Sequence, residues 1–264
     1  MTDSMERDLF AGTADYYVRY RSEYPAELID RLVERFALDA NSRVLDLGCG
    51  PGKLGLRFAP CVREVVGLDP DPGMLAAARQ VADARGITNV RWVRGCAEEI
   101  DPALGEFTLA TIGHAFHWMN QDRVLAGLYD RILSGGGVAN VADARDSRHD
   151  SGFRDIVAEV KKRYLGERRR AGSGYYLPPK ELHEAVIARS RFRMEEPIQC
   201  LQSRTWTIDE IVGHCYSTSS CSIAVLGDKK EAFEADLRAA LAAANPSGVF
   251  VASQLVEANI ARKG

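Results

Sequence analysis

The sequence predicts an α/β fold, a mainly parallel sheet with helices on both faces. Three observations predict it. Short apolar runs alternate with helical periodicity along residues 43–143, a glycine-rich turn follows the first run directly, and Asp69 closes the second run 19 residues beyond Gly50.

Behind Pro25, a favourable first-turn residue, Leu28, Ile29, Leu32, Val33 and Phe36 recur at helical spacing and predict an amphipathic helix over 25–37. Arg43-Val-Leu-Asp-Leu47 reads as a short buried strand running into Gly48-Cys-Gly-Pro-Gly-Lys-Leu-Gly55. Residues 65–68 read as the next strand, ending at Asp69. A helix over 72–85, strands over 90–93 and 107–112, a helix over 121–133, a Gly135-Gly-Gly137 turn and a strand over 138–141 continue the alternation. After Asp143 the chain turns arginine-rich, with turn signals at Gly172-Ser-Gly174 and Pro178-Pro179, and residues 145–205 are expected to form a helical insertion. Phe153, Ile156, Val157, Val160 and Tyr164 mark one helix within it. Thr207-Ile-Asp-Glu210 reads as a capping box opening another helix. A helix near 229–244 and a strand near 249–255 close the chain.

With 264 residues, 46% hydrophobic and 27% charged, the chain can bury a substantial core without staples. A formal net charge of −3 gives no field for a polyanion, which disfavours a dedicated nucleic-acid or membrane-surface binder. The six cysteines include no CxxC, and His214-Cys215 with Cys221 matches no standard zinc spacing, so no metal is expected. The first residues lack a basic-then-apolar leader and no run approaches about 18 apolar residues, so a cytoplasmic protein without a membrane span is expected.

Gly50-Pro-Gly-Lys-Leu-Gly55 satisfies G-x-G-x-x-G, and with Asp69 it suits a nucleoside cofactor: glycines let the backbone approach closely, and the acid holds ribose hydroxyls. A P-loop fails because Leu54 follows Lys53. These residues alone leave a nicotinamide cofactor, another nucleoside cofactor and a ligand-free turn open.

The surrounding sequence is more specific. Val44-Leu-Asp-Leu-Gly-Cys-Gly-Pro-Gly52 resembles the first motif of class I S-adenosylmethionine-dependent methyltransferases. Gly67-Leu-Asp-Pro-Asp-Pro-Gly-Met-Leu75 is similar to their next segment, Gly95-Cys-Ala-Glu-Glu99 to the loop after the third strand, and Leu133-Ser-Gly-Gly-Gly137 to the turn before the fifth. Ile112-Gly-His-Ala-Phe-His-Trp-Met119 resembles the fourth-strand motif of small-molecule members. Tyr16-Tyr-Val-Arg-Tyr-Arg-Ser-Glu-Tyr-Pro25 resembles the N-terminal lid of a natural-product and trans-aconitate-methyltransferase-like subgroup.

The resemblance implies a Rossmann-like, mainly parallel seven-stranded sheet with a helical cap. It divides the chain into a lid and first helices (1–40), a cofactor-binding core (41–144), a substrate cap (145–206) and the C-terminal part of the core (207–264). S-adenosylmethionine is the implied cofactor and S-adenosylhomocysteine its product. Gly48, Cys49, Gly50 and Gly52 would form the floor under its methionine part. Asp46 would orient that loop or hold the amino group through water, and Asp69 would take the ribose hydroxyls. Pro70 and Met74 would pack on adenine, with Cys96, Ala97 and Glu98 along its edge; many members carry an aspartate where this chain has Cys96. Tyr17 and Arg21 are the lid candidates, Arg21 for the cofactor carboxylate.

In-line methyl transfer to N or O of a small molecule needs alignment, aromatic faces for a cation and, for a protonated nucleophile, a base. Tyr16, Phe116 and Trp118 are candidates for the acceptor, and His114 and His117 for the base. A packed aromatic strand end is the competing reading of His117 and Trp118, and a helix face packed on the core that of Tyr16 and Tyr17. The expected acceptor is an antibiotic or amino-sugar intermediate, taken by a monomer or homodimer. The Asn/Asp-Pro-Pro-aromatic motif of base-amino methylases is missing, and so is a Tyr-x-x-x-Lys dehydrogenase motif. A nicotinamide-dependent oxidoreductase and a non-catalytic S-adenosylmethionine-binding protein are the alternatives.

Overall fold

The computed structural model describes residues 9–144, 152–168, 170–171, 174–176 and 181–264. The turn residues Gly172, Ser173, Pro178 and Pro179 lie outside the described residues. The chain divides into two compact units. A sheet unit takes Glu23–Ala144, Pro178–Cys200 and Leu255–Gly264, and a helical unit takes Met1–Ser22, Arg145–Leu177 and Leu201–Gln254.

In chain order the elements are α1 (Ala14–Tyr20), α2 (Ala26–Arg35), β1 (Arg43–Leu47), β2 (Glu64–Asp69), α3 (Pro72–Ala84), β3 (Val90–Arg94), β4 (Phe107–Gly113), α4 (Gln121–Tyr129) and β5 (Ile132–Asp143). They are followed by α5 (Arg154–Leu165), β6 (Arg170–Ala171), β7 (Gly174–Tyr175), α6 (His183–Ala188), β8 (Arg193–Met194), β9 (Ile198–Thr207), α7 (Ile208–Tyr216), α8 (Ile223–Leu226), α9 (Lys230–Ala244) and β10 (Val249–Arg262).

The strand order is β3-β2-β1-β4-β5-β10-β8, with β9 joined to β10, so among the described residues the expected seven-stranded sheet has eight strands. β1 pairs in parallel with β2 and β4, β2 with β3, and β4 with β5, while β10 runs antiparallel to β5. Order reverses between β1 and β4, the place where an open α/β sheet presents a crevice at its carboxyl ends. Alternate strand residues feed two apolar clusters. Val44, Leu109, Ala139 and Val141 join one with Leu28, Leu32 and Phe58, whereas Leu45, Leu47, Ala110, Ile112 and Val138 join the other with Val124, Leu128 and Val186.

The expected helix over 121–133 stops at Tyr129, and Ile132 already pairs with Phe107. The glycines expected as a turn lie inside β5, where the register jumps from Phe107–Ile132 to Leu109–Gly137 and Gly135 takes φ +80°. A side chain on Gly137 would collide with the Ala261 carbonyl and meet the Phe36 ring at 2.7 Å, so only glycine lets β10 close on β5 here.

The segment expected as a helical cap over 145–206 is mixed. It contains α5, a β6–β7 pair, α6, β8 and most of β9, and Pro178–Cys200 belongs to the sheet unit because Met194 pairs with Ala261. Of the expected C-terminal core at 207–264, Leu255–Gly264 lies in the sheet unit, and α7, α8 and α9 lie in the helical unit. Their apolar faces pack on one another: Trp206, Ile211, Cys215, Phe233, Leu237 and Leu241 share a cluster with Phe153 and Val160. The Thr207–Glu210 capping box forms as read.

Candidate cofactor and acceptor site

The turn after β1 is held at both ends by carboxylates. Gly48 and Cys49 donate their amides to the Leu68 carbonyl at 2.8 and 3.2 Å, so the loop folds back over the end of β2. Asp69 Oδ2 accepts the Gly50 amide at 2.8 Å and Oδ1 accepts that of Asp71 at 2.9 Å. With 8% of its surface exposed, Asp69 is pushed by burial up to about 6.

Asp46 is 1% exposed, its Oδ2 accepting the Gly55 amide at 2.9 Å and its Oδ1 the Thr111 hydroxyl at 2.8 Å. Both oxygens are engaged inside the sheet unit, which makes Asp46 the brace of the loop. Burial raises its carboxyl to about 7. Gly50 takes φ +52° with nothing within 4 Å of an added Cβ, leaving open space above the backbone. Gly52 takes φ +81° under the Trp92 ring, which a Cβ would meet at 2.6 Å. Cys49 is buried, and burial first, then the Asp69 and Asp46 charges, pushes its thiol well up, so it fills space as a thiol.

Asp71 caps α3 by accepting the amides of Gly73 and Met74 at 2.7 and 3.0 Å, which sets Met74 one turn beyond Asp69. Met74 is buried and Pro70 half-buried. After β3, Ala97 is buried and Cys96 half-buried. Glu98 accepts the Asn120 amide at 2.7 Å, so it ties this loop to the segment bearing His117 and Trp118.

At the end of β4, His114 adopts φ +51°, a left-handed conformation unusual for a side chain of this size. The Val141 carbonyl fixes its amide at 2.9 Å, its Nε2 lies 3.7 Å from Asp143 Oδ1, and its ring lies 5.9 Å from that of Tyr24. Phe116 is 1% exposed and anchors the next turn in the core. His117 packs on Trp118 at 4.7 Å between centroids and lies parallel to His183 at 6.4 Å.

His183 carries no distinguishing context in the sequence, yet it stands at the start of α6 with its ring edge-on to Phe116 at 5.3 Å. Two buried asparagines place it. Asn140 on β5 and Asn259 on β10 are register partners. The Asn140 amide donates to His183 Nδ1 at 3.3 Å, and that of Asn259 donates to Glu184 Oε1 at 3.0 Å. Asparagines inside strands whose neighbours are apolar are the one sequence signal for this arrangement. Among the described residues, no group of three His, Cys, Asp or Glu is arranged to hold a metal.

Tyr16, Tyr17 and Arg21 belong to the helical unit. Tyr16 stacks on Tyr20 at 6.1 Å and meets Tyr216 edge-on at 5.4 Å, while Arg21 lies over Tyr17 at 5.1 Å and donates to the Ser217 carbonyl at 3.4 Å. The structure thus brings the glycine loop, both aspartates, Met74, Ala97 and the histidines into one unit, and the two lid candidates and the acceptor candidate Tyr16 into the other.

Residues 44–137 match the methyltransferase domain family, a span that opens at β1 and closes within β5. The fold is that of the class I methyltransferases. The chain is 29% identical over 215 residues to an uncharacterized methyltransferase of Mycobacterium tuberculosis, covering 76% of this chain and 83% of that protein. The methyltransferase fold is shared with the YcgJ protein of Bacillus subtilis, at a TM-score of 0.55 and 19% identity over 91% of this chain and 100% of that one. It is also shared with a type II methyltransferase candidate from Anaeromyxobacter dehalogenans, at 0.62 and 21% over 92% and 98%. Within the methyltransferase domain, the braced glycine loop and Asp69 can hold a nucleoside, and the histidine group offers hydrogen bonds and aromatic faces. No described helix is long and apolar enough to cross a membrane.

Proposed function

We propose that the protein transfers a methyl group from S-adenosylmethionine to N or O of a small molecule. The observation that carries this reading is the Asp69–Gly50 hydrogen bond inside a matched methyltransferase domain. It places a buried carboxylate beside a glycine whose open side admits a ligand to the backbone. The residues fit the cofactor: Gly48, Gly50 and Gly52 would lie under its methionine part, Asp69 would take the ribose hydroxyls, and Met74, Pro70 and Ala97 would pack on adenine. When bound, the cofactor supplies an already activated methyl on a sulfonium sulfur.

The protein's part is orientation and proton handling. Asp46 braces the loop against Thr111 and the Gly55 amide, which holds the floor in position. Tyr17 and Arg21 are assigned to the lid, with Tyr16, Phe116 and Trp118 along the acceptor. His114, held at φ +51° beside Asp143, is aimed by its backbone and is the first choice as proton acceptor, with His117 second. Intermediates of antibiotic or amino-sugar assembly are the first acceptors to screen, with the protein acting as a cytoplasmic monomer or homodimer. The test is release of S-adenosylhomocysteine from S-adenosylmethionine over a panel of amines, hydroxy acids and phosphorylated sugars. Acceptor-dependent release supports the reading. Tight product binding with no release on any acceptor favours a non-catalytic binding protein.

A further inference from the structure

We propose that His183 contacts the methyl acceptor as a hydrogen-bond donor through Nε2–H and selects molecules that present an oxygen lone pair there, from a hydroxyl, carbonyl or phenolate. The inference deepens the methyl-transfer reading and rests on it. It starts from two polar side chains standing where apolar ones would pack. Asn140 on β5 and Asn259 on β10 are register partners, so both leave the same face of the sheet, and both are buried. The next pair on that face, Val138 and Ala261, is apolar and lies in the core.

Each asparagine meets one of two consecutive residues at the start of α6. The Asn140 amide donates to His183 Nδ1 at 3.3 Å, and the Asn259 amide donates to Glu184 Oε1 at 3.0 Å. Two polar contacts thus set the rotation of a short helix whose Val186 and Ile187 bury in the same cluster as Phe116. Stability alone does not ask for them. Glu184 Oε2 is buried without a hydrogen-bond partner among the described residues, a cost that an apolar pair at positions 184 and 259 would avoid. Polar groups kept at such a cost mark a site rather than a core.

What the Asn140 contact supplies is a tautomer. A ring nitrogen that accepts a hydrogen bond carries no proton, so in the neutral ring the hydrogen sits on Nε2, across the ring from Asn140. His183 is therefore a fixed donor and leaves proton removal to His114 or His117. Its ring stands edge-on to Phe116 at 5.3 Å and parallel to that of His117 at 6.4 Å, with the planes 11° apart. Phe116 and His117 follow β4 at the carboxyl end of the sheet, which sets the donor among the side chains assigned to the acceptor and its proton. A fixed N–H in a half-buried site favours a lone pair and disfavours a group that only donates, because its own hydrogen would then go unpaired. Asn140 acts through His183 and is a positioning residue.

The test joins a spectrum to turnover, both on the full chain. In long-range proton–nitrogen spectra of histidine-labelled protein, His183 is expected to carry its hydrogen on Nε2, and Asn140→Asp, which offers an acceptor where the amide donated, is expected to move it to Nδ1. Release of S-adenosylhomocysteine is then followed over the panel of amines, hydroxy acids and phosphorylated sugars, and the acceptors turned over are expected to carry a hydroxyl or carbonyl oxygen. For these, His183→Met is expected to raise KM about tenfold with kcat within about twofold. His183→Gln, whose carboxamide can accept from Asn140 and donate from its own nitrogen, is expected to restore most of the loss. Where His183→Met does not fold, Asn140→Asp decides by the same rise in KM. A wild-type hydrogen on Nδ1, a KM indifferent to these variants, a loss confined to kcat, or equal turnover of amines that lack oxygen overturns the assignment of His183 alone. No acceptor-dependent release overturns the methyl-transfer reading and this assignment with it.

Discussion

Asp69 Oδ2 accepts the Gly50 amide hydrogen at 2.8 Å, joining the end of β2 to the turn after β1. The bond fixes the carboxylate beside the open face of the loop, and a ribose hydroxyl pair placed there would be met by a charged acceptor. Asp69→Ala is expected to weaken S-adenosylhomocysteine binding by about 1.5–3 kcal/mol, the range for a hydrogen bond to a charged group. Calorimetry that finds the affinity unchanged removes Asp69 from the ribose.

Protonation gives the same contact a pH dependence. Because burial raises Asp69 to about 6, the carboxylate needed by the hydroxyls is lost as pH falls through that value. Affinity for S-adenosylhomocysteine is therefore expected to decline from pH 7.5 to pH 5 (roughly the window spanned by this shift), with the steepest change near 6. A flat profile contradicts this role.

Asp46 affects stability in a related way. Its folded value of about 7 stands above the ordinary 3.8, so the native state binds the extra proton between them and stability falls as pH rises through this window. Asp46→Asn keeps the shape and removes the titration. Its stability relative to wild type is expected to improve steadily from pH 4 towards pH 7 (about the two ends of that interval), measured by urea unfolding. A constant difference would show that the charge is not desolvated.

The strained backbone at His114 separates conformation from chemistry. Glycine accepts φ +51° without a Cβ clash and alanine does not, so His114→Gly is expected to be more stable than His114→Ala by about 0.5–1 kcal/mol. Both variants lose the imidazole and should lose turnover together. Equal stabilities would mean that the turn relaxes when the histidine is removed.

Asn140 connects the sheet to α6. Asn140→Ala leaves His183 Nδ1 without its donor in a half-buried position and is expected to destabilise by about 1–3 kcal/mol. It should also shift the His183 and His117 ring resonances together, since the two rings lie parallel at 6.4 Å. A stability loss with unmoved His117 signals would limit Asn140 to holding α6.

The parts of this molecule legible in its sequence are those fixed locally. The run from Val44 to Gly52 needs a buried strand and then positive φ at Gly48, Gly50 and Gly52, and only glycine serves all three without strain. The Thr207–Glu210 capping box is likewise complete within four residues. Placements decided by distant partners were not legible. His183 acquires its surroundings from Asn140, 43 positions away in sequence, and α7 and α9 read as helices whether they pack on the sheet or on one another. The glycines 135–137 carry a turn signal that β10 overrides, because the Ala261 carbonyl packs where a Gly137 side chain would stand.

The most direct test of the central claim is calorimetric titration of the full chain with S-adenosylhomocysteine and with NAD in parallel. The account predicts saturable, stoichiometric binding of S-adenosylhomocysteine, weakened in Asp69→Ala, and none of NAD. Binding of NAD alone would contradict it, and the glycine loop would then belong to a nicotinamide enzyme.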